Sequence, residues 1–141
     1  MKIIRCTEAD FGTLAGIWER SVRATHHFLS DSDFSEIRSA LIPRYFPNVD
    51  LYAVVDDDAL TGFIGLSTGT IEMLFVDDAF RNMGYGSRLI DFAVGMGAAK
   101  VDVNEQNAAA LAFYQAKGFH IISRDETDDA GRPYPILHLS L

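Results

Sequence analysis

A chain of 141 residues with a net charge of −8 and a single cysteine is restricted in what it can be. Its 48% hydrophobic and 23% charged residues argue against disorder and for one domain whose core buries roughly 70% of the unfolded surface. No apolar run approaches the roughly 18–20 residues of a membrane helix, Cys6 has no disulfide partner, and scattered Lys and Arg argue against a nucleic-acid partner.

Ile3 to Cys6 reads as a short strand. The charge that surrounds it is not that of a signal peptide, so the expected compartment is the cytoplasm. Thr7-Glu8-Ala9-Asp10 has the form of a capping box, and Phe11, Leu14, Trp18 and Val22 recur at three- and four-residue spacing. A helix to about His26 is predicted, then a polar break from Ser30 to Asp33. A second helix carries Phe34, Ile37 and Leu41 and ends near Pro43 or by Pro47. Leu51 to Val55 and Thr61 to Ser67 read as strands joined through Asp56-Asp57-Asp58-Ala59. Thr68-Gly69-Thr70 then turns the chain into a strand over Ile71 to Val76.

A glycine turn and a helix to about Met96 follow, then a strand over Lys100 to Asn104. Asn107 to Lys117 is helical, with Gly118 as its stop. The final strands, Phe119 to Arg124 and Tyr134 to Leu141, flank an acidic loop from Asp125 to Gly131. The order β-α-α-β-β-β-α-β-α-β-β predicts a single α/β (α+β) domain over residues 1–141. Three meander strands precede one β-α-β unit, which implies a mixed sheet with helices on both faces.

The turn Arg81-Asn82-Met83-Gly84-Tyr85-Gly86-Ser87 carries the chemistry. A helix that begins on glycines presents unpaired N–H groups and the positive end of its dipole, which suit a phosphate. Gly84 and Gly86 allow positive φ and close approach of a ligand, and Arg81 adds a guanidinium. A Walker loop is excluded because neither glycine is followed by Lys and then Ser or Thr. A dinucleotide fingerprint fails because Leu89 stands at the third glycine position, although Asp102 lies at the right distance to imitate the ribose-binding acid.

Arg81 to Gly86 matches the R/Q-x-x-G-x-G/A signature of the GCN5-related N-acetyltransferase (GNAT) superfamily. The stretch Val103 to Phe119, with its pattern N-x-x-A-x-x-F-Y-x-x-x-G-F, resembles that family's later strand and helix. Ser21-Val22-x-Ala24-Thr25-His26-x-Phe28-Leu29, Asn104-Glu105-Gln106-Asn107 and Pro133-Tyr134-Pro135 resemble its small bacterial single-domain, YjaB-like members. The resemblance spans essentially the whole chain. It implies a mostly antiparallel sheet of six to seven strands, splayed at a central parallel pair between the Ile71 and Lys100 strands.

The implied activity is acetyl transfer from acetyl-CoA to a primary amine, by direct attack in a ternary complex. The pyrophosphate is expected on the N–H groups of Met83, Gly84, Tyr85, Gly86 and Ser87, beside Arg81 and Asn82. The pantetheine is expected to pair with the backbone of Leu74, Phe75 and Val76 like an added strand. Tyr114 is the expected catalytic residue, a phenol placed to protonate the leaving thiolate. Asn107 either bonds the cofactor or caps its helix.

The base that takes the amine's proton is open among Tyr134, His26 and Glu72. Tyr134 is held between two prolines, His26 ends the first helix, and Glu72 lies on the motif strand with parity opposite to Met73. No metal site is expected: His26 and His27 are adjacent and the acidic turns lack a calcium-loop pattern. The acceptor is a small-molecule or peptide amine, with specificity expected from about Val22 to Tyr45 and Asp125 to Tyr134. Phe28, Phe34, Tyr45, Phe46 and Tyr134 offer that pocket apolar surface. Neither a nucleic acid nor a membrane is an expected partner, and monomer and homodimer are both open. The alternative is a non-catalytic CoA-binding sensor, against which the retention of Tyr114 weighs.

Overall fold

A computed structural model describes residues 1–141. Its strands are β1 (Lys2–Arg5), β2 (Asp50–Asp56), β3 (Ala59–Ser67), β4 (Thr70–Val76), β5 (Lys100–Asn104), β6 (His120–Asp125) and β7 (Ile136–Ser140). The helices are α1 (Phe11–Thr25), α2 (Asp31–Ala40), α3 (Tyr85–Gly95) and α4 (Ala108–Ala116). The strands form one sheet in the order β1-β2-β3-β4-β5-β7-β6. Every neighbouring pair is antiparallel except β4 and β5.

Two apolar clusters lie on opposite faces of that sheet. On one face α1 buries Leu14, Ala15, Ile17, Trp18 and Val22 against Leu51, Ala53 and Phe63. On the other, α3 buries Tyr85, Leu89, Ile90 and Ala93, and α4 adds Tyr114, against Ile64, Ile71, Val101 and Leu139. Each fully buried aliphatic or Phe side chain contributes about 1.5–3 kcal/mol, so both faces are firmly held.

The meander, the β-α-β unit and the helices on both faces follow the expected order. Several boundaries differ, each for a local reason. Ser30 to Asp33 is no break: Ser30 Oγ accepts the Asp33 N–H at 3.1 Å and caps α2, which starts at Asp31. Pro43 does not end that helical stretch, because the backbone widens into a π turn over Leu41–Tyr45 before a short 3-10 turn, Phe46–Asn48. The β2–β3 connection narrows to Asp57 and Asp58, both left-handed at φ 49 and 62. That geometry matches the strand twist in a two-residue hairpin. The last strand starts at Ile136, since Pro133 and Pro135 remove N–H donors around Tyr134. Cys6 lies just past β1 and still donates its N–H to Leu51 O at 2.8 Å.

Candidate active site

The parallel pair at the middle of the sheet is held at one end only. Thr70 pairs with Lys100 and Ile71 with Val101, and there the ladder stops, although β4 runs on to Val76 and β5 to Asn104. A bulge starts the divergence. Met73 faces Gly65 and Ile71 faces Leu66, so Glu72 is an extra residue on β4. Beyond it the β5-facing backbone of Leu74, Phe75 and Val76 has no strand partner. The opening is a cleft of about 420 Å³.

The floor of the cleft passes into the glycine turn. Gly84 is left-handed at φ +86 and is the residue before α3, with no side chain capping that helix. The first helical bond runs from the Arg88 N–H to Gly84 O at 3.1 Å. The N–H groups of Tyr85, Gly86 and Ser87 therefore lack intrahelical acceptors and converge at the positive end of the dipole. Arg81 stands beside them, half-exposed, with one 3.2 Å contact to Asp78. Only Gly84 of the two glycines uses positive φ. Gly86 is helical, and a Cβ there would make ordinary contacts with Phe113 at 3.6 Å and Val76 at 3.7 Å, so neither backbone conformation nor packing requires glycine at that position. Asn82 supplies the turn's other left-handed residue at φ 59.

Tyr114 lines the same cleft, its ring packed edge-on to Phe119 and Phe113. The residue is 6% exposed, yet no side-chain N or O atom in the protein is both buried and unpartnered. Its hydroxyl, which has no protein partner, therefore opens on the cleft. Burial holds the phenol well above its ordinary pKa, so near neutral pH it is a proton donor and not a base.

His26 reaches the same cleft from the end of α1 and meets Asn107. Asn107 Oδ1 caps α4 by accepting the Ala110 N–H at 3.2 Å, which leaves its Nδ2 to face His26 Nε2 at 3.5 Å. An amide donor at Nε2 assigns the His26 proton to Nδ1, which donates to Thr25 Oγ1 at 2.8 Å; that hydroxyl donates to Ser21 O at 2.8 Å. Burial, and then the nearby His27, lowers the His26 pKa and keeps the ring neutral. At the cleft's other lip, burial and then the charges of Asp102 and Asp129 raise the Glu72 pKa.

A family model described as an acetyltransferase (GNAT) domain matches residues 47–121, more than half of the chain. The chain belongs to the GNAT superfamily. It is 40% identical over 141 residues to the peptidyl-lysine N-acetyltransferase YjaB of Salmonella typhimurium, covering 99% of this chain and 97% of that protein. The solution structure of apo-form YjaB from Escherichia coli superposes with a TM-score of 0.91 at 37% identity, covering 99% of this chain and 95% of that one. The PaiA N-acetyltransferase of Thermoplasma acidophilum, solved in complex with coenzyme A, shares the fold at 20% identity with a TM-score of 0.70, covering 99% of this chain and 98% of that one.

As a GNAT member the chain is an acyltransferase that draws on acetyl-CoA. Its own geometry fits that molecule: an uncapped helix start for the diphosphate, and an unpaired strand edge for the pantetheine amides. No group of three or more His, Cys, Asp or Glu is arranged to hold a metal ion, and no helix is long and apolar enough to cross a membrane.

Of the residues singled out in the sequence, the cleft gathers His26, Glu72, Leu74, Phe75, Val76, Arg81 and Asn82. It also gathers Gly84, Tyr85, Gly86, Ser87, Asn107 and Tyr114. Met83 and Tyr134 are not among its lining. Met83 is 60% exposed on the outer side of the turn. Tyr134 is buried against the start of α2, with its hydroxyl donating to Asp33 and accepting from the Ser30 N–H. Tyr85 contributes backbone only, because its phenol turns into the core and donates to Asp56 at 2.7 Å. Phe46 is a core residue, and the half-buried Phe34 packs on Trp18 at 5.1 Å; neither lines the cleft. Ser21, Thr25, Phe80 and Phe113 join the lining without having been anticipated. The Ser21-to-His26 segment carried the only signal for the first two.

Proposed function

We propose that the chain is a single catalytic domain that transfers the acetyl group of acetyl-CoA to the Nζ of lysine in a peptide or protein. The single observation that carries the reading is the Tyr114 hydroxyl, protonated and unpartnered on an otherwise buried side chain, opening on the cleft where β4 and β5 part. Bound acetyl-CoA supplies an activated thioester, and the residues around the cleft do the rest. The N–H groups of Tyr85, Gly86 and Ser87, with Arg81, hold the diphosphate, and the Leu74–Val76 backbone orients the thioester arm. Asn107 bonds the same arm while capping α4. Tyr114 donates its proton to the departing sulfur.

Proton removal from the amine falls to Glu72, whose raised pKa suits a base and whose bulge places it at the mouth of the opening. His26, already bonded at both ring nitrogens, orders Asn107. Tyr134 serves the acceptor wall by tethering the β6–β7 loop to α2 through Asp33.

Two observations support a lysine acceptor. The relatives at 40% identity are named peptidyl-lysine N-acetyltransferases. The acceptor lip also carries Glu72, Asp102 and Asp129, a negative field that attracts an alkylammonium. The test is thiol release from acetyl-CoA across lysine peptides, peptides with only an α-amine, and small amines. Preference for lysine peptides is expected. Turnover with small amines alone overturns the acceptor assignment. Binding of acetyl-CoA with no turnover on any amine returns the chain to the sensor reading.

A further inference from the structure

On the α1 side, one residue past the cleft-lining end of β4, a half-exposed arginine is paired with a buried carboxylate. Arg20 Nε donates to Asp77 Oδ1 at 3.0 Å and its terminal nitrogen to Oδ2 at 2.8 Å, a two-pronged fork. The Asp77 carboxylate is 8% exposed. Neither residue lines the cleft. Asp77 is the residue at which β4 becomes the turn that leads to Arg81 and Gly84. Its N–H donates to Thr61 O at 2.8 Å, its Oδ1 accepts the Ala79 N–H at 3.3 Å, and its carbonyl accepts the Phe80 N–H at 2.8 Å. One side chain on α1 thus grips the root of the phosphate turn.

The sequence of α1 is shaped for that grip. Gly16 sits inside the helix, where glycine is unfavourable. A Cβ at Gly16 would lie 3.2 Å from the Arg20 guanidinium, so the missing side chain gives the arginine room to lie back along the helix. A lysine would supply the charge without the planar fork that fixes both carboxylate oxygens.

We propose that Arg20, acting through Asp77, is a positioning residue that sets the angle at which the turn from Asp78 to Ser87 presents its N–H groups to the diphosphate of acetyl-CoA. This rests on the reading that the turn holds that diphosphate. The clamp couples α1, which also carries His26 at its end, to the donor half of the site. Its effect falls on the diphosphate and not on the acetyl thioester, and two acetyl donors separate the two. Acetyl-CoA carries the diphosphate, whereas S-acetylpantetheine lacks it.

The experiment compares KM and kcat for both donors in wild type, Arg20→Gln, Arg20→Lys and Gly84→Val, with melting temperatures recorded alongside. Arg20→Gln is expected to raise KM for acetyl-CoA about tenfold while leaving S-acetylpantetheine within about twofold, with Arg20→Lys in between. Equal losses on both donors, or a lowered melting temperature with unchanged KM for acetyl-CoA, overturn the inference and leave the pair a structural tie. An unchanged KM for acetyl-CoA in Gly84→Val overturns the reading of the turn itself, and the inference with it. Arg20→Lys retains the charge opposite Asp77, so it keeps the test usable where Arg20→Gln does not fold.

Discussion

At the scale of single residues, the site is a set of side chains whose protonation is decided by what surrounds them. Tyr114 is the clearest case: burial removes any role as a base and leaves a donor. Tyr114→Phe keeps the packing against Phe119 and loses only the hydroxyl. Turnover is expected to fall about a hundredfold with acetyl-CoA binding retained, measured by thiol release beside calorimetric titration. Asn107 shows a different economy, with one amide whose oxygen caps a helix and whose nitrogen orders His26. Cys6 takes no part, because burial raises its thiol to about 11 and keeps it protonated. Most of these positions were legible as residue types in a motif. Their partners were not, since Asn107 and His26 are 81 residues apart and nothing in the spacing announces that they meet.

At the scale of elements, the face of β5, β7 and β6 left bare by α1 and α2 carries an unexpected row. His138 on β7 lies between Asp102 on β5 and Asp125 at the end of β6, 2.6 Å from each. Hydrogen bonds to Asp102 and then Asp125 raise its pKa above 6.5. A raised folded value means stability that is full below the unfolded pKa and is lost as pH rises through the folded one. The melting-temperature gap between wild type and His138→Gln is therefore expected to be largest near about pH 6 and to shrink by about pH 9. A gap constant across that range would contradict the assignment.

The β6–β7 loop is tied in the same manner, with Arg132 contacting Asp33, Glu36 and Asp128. The sequence showed this loop only as a run of acids. Its meaning depends on Arg132, buried by contacts made 96 residues away. The strand–helix periodicities were readable because they are local. The bulge at Glu72 was not, because it exists only in the register between β3 and β4.

At the scale of the whole molecule, charge and topology divide the labour. The net charge of −8 includes Glu72, Asp102 and Asp129 close enough to act on one another, the lip proposed for the acceptor, while the glycine turn presents Arg81 and a helix N-terminus. KM for a basic lysine peptide is expected to rise several-fold between low salt and about 0.3 M, as screening shortens the reach of that field. KM for an uncharged amine is expected to stay level across the same series. The architecture itself was largely legible, since one β-α-β unit after a meander admits few arrangements and two motifs named the family.

The parting of β4 and β5 has a last consequence. A seven-stranded sheet should have two free edges, at β1 and β6, yet this one has four, because the gap exposes two more inside it. Interior edges are open hydrogen-bonding templates of the kind that invite stray pairing between chains. A pantetheine paired with Leu74 to Val76, as proposed above, would cover the one on β4. On that proposal acetyl-CoA stands in for a strand as well as reacting, and melting temperature and resistance to self-association are both expected to rise with its concentration.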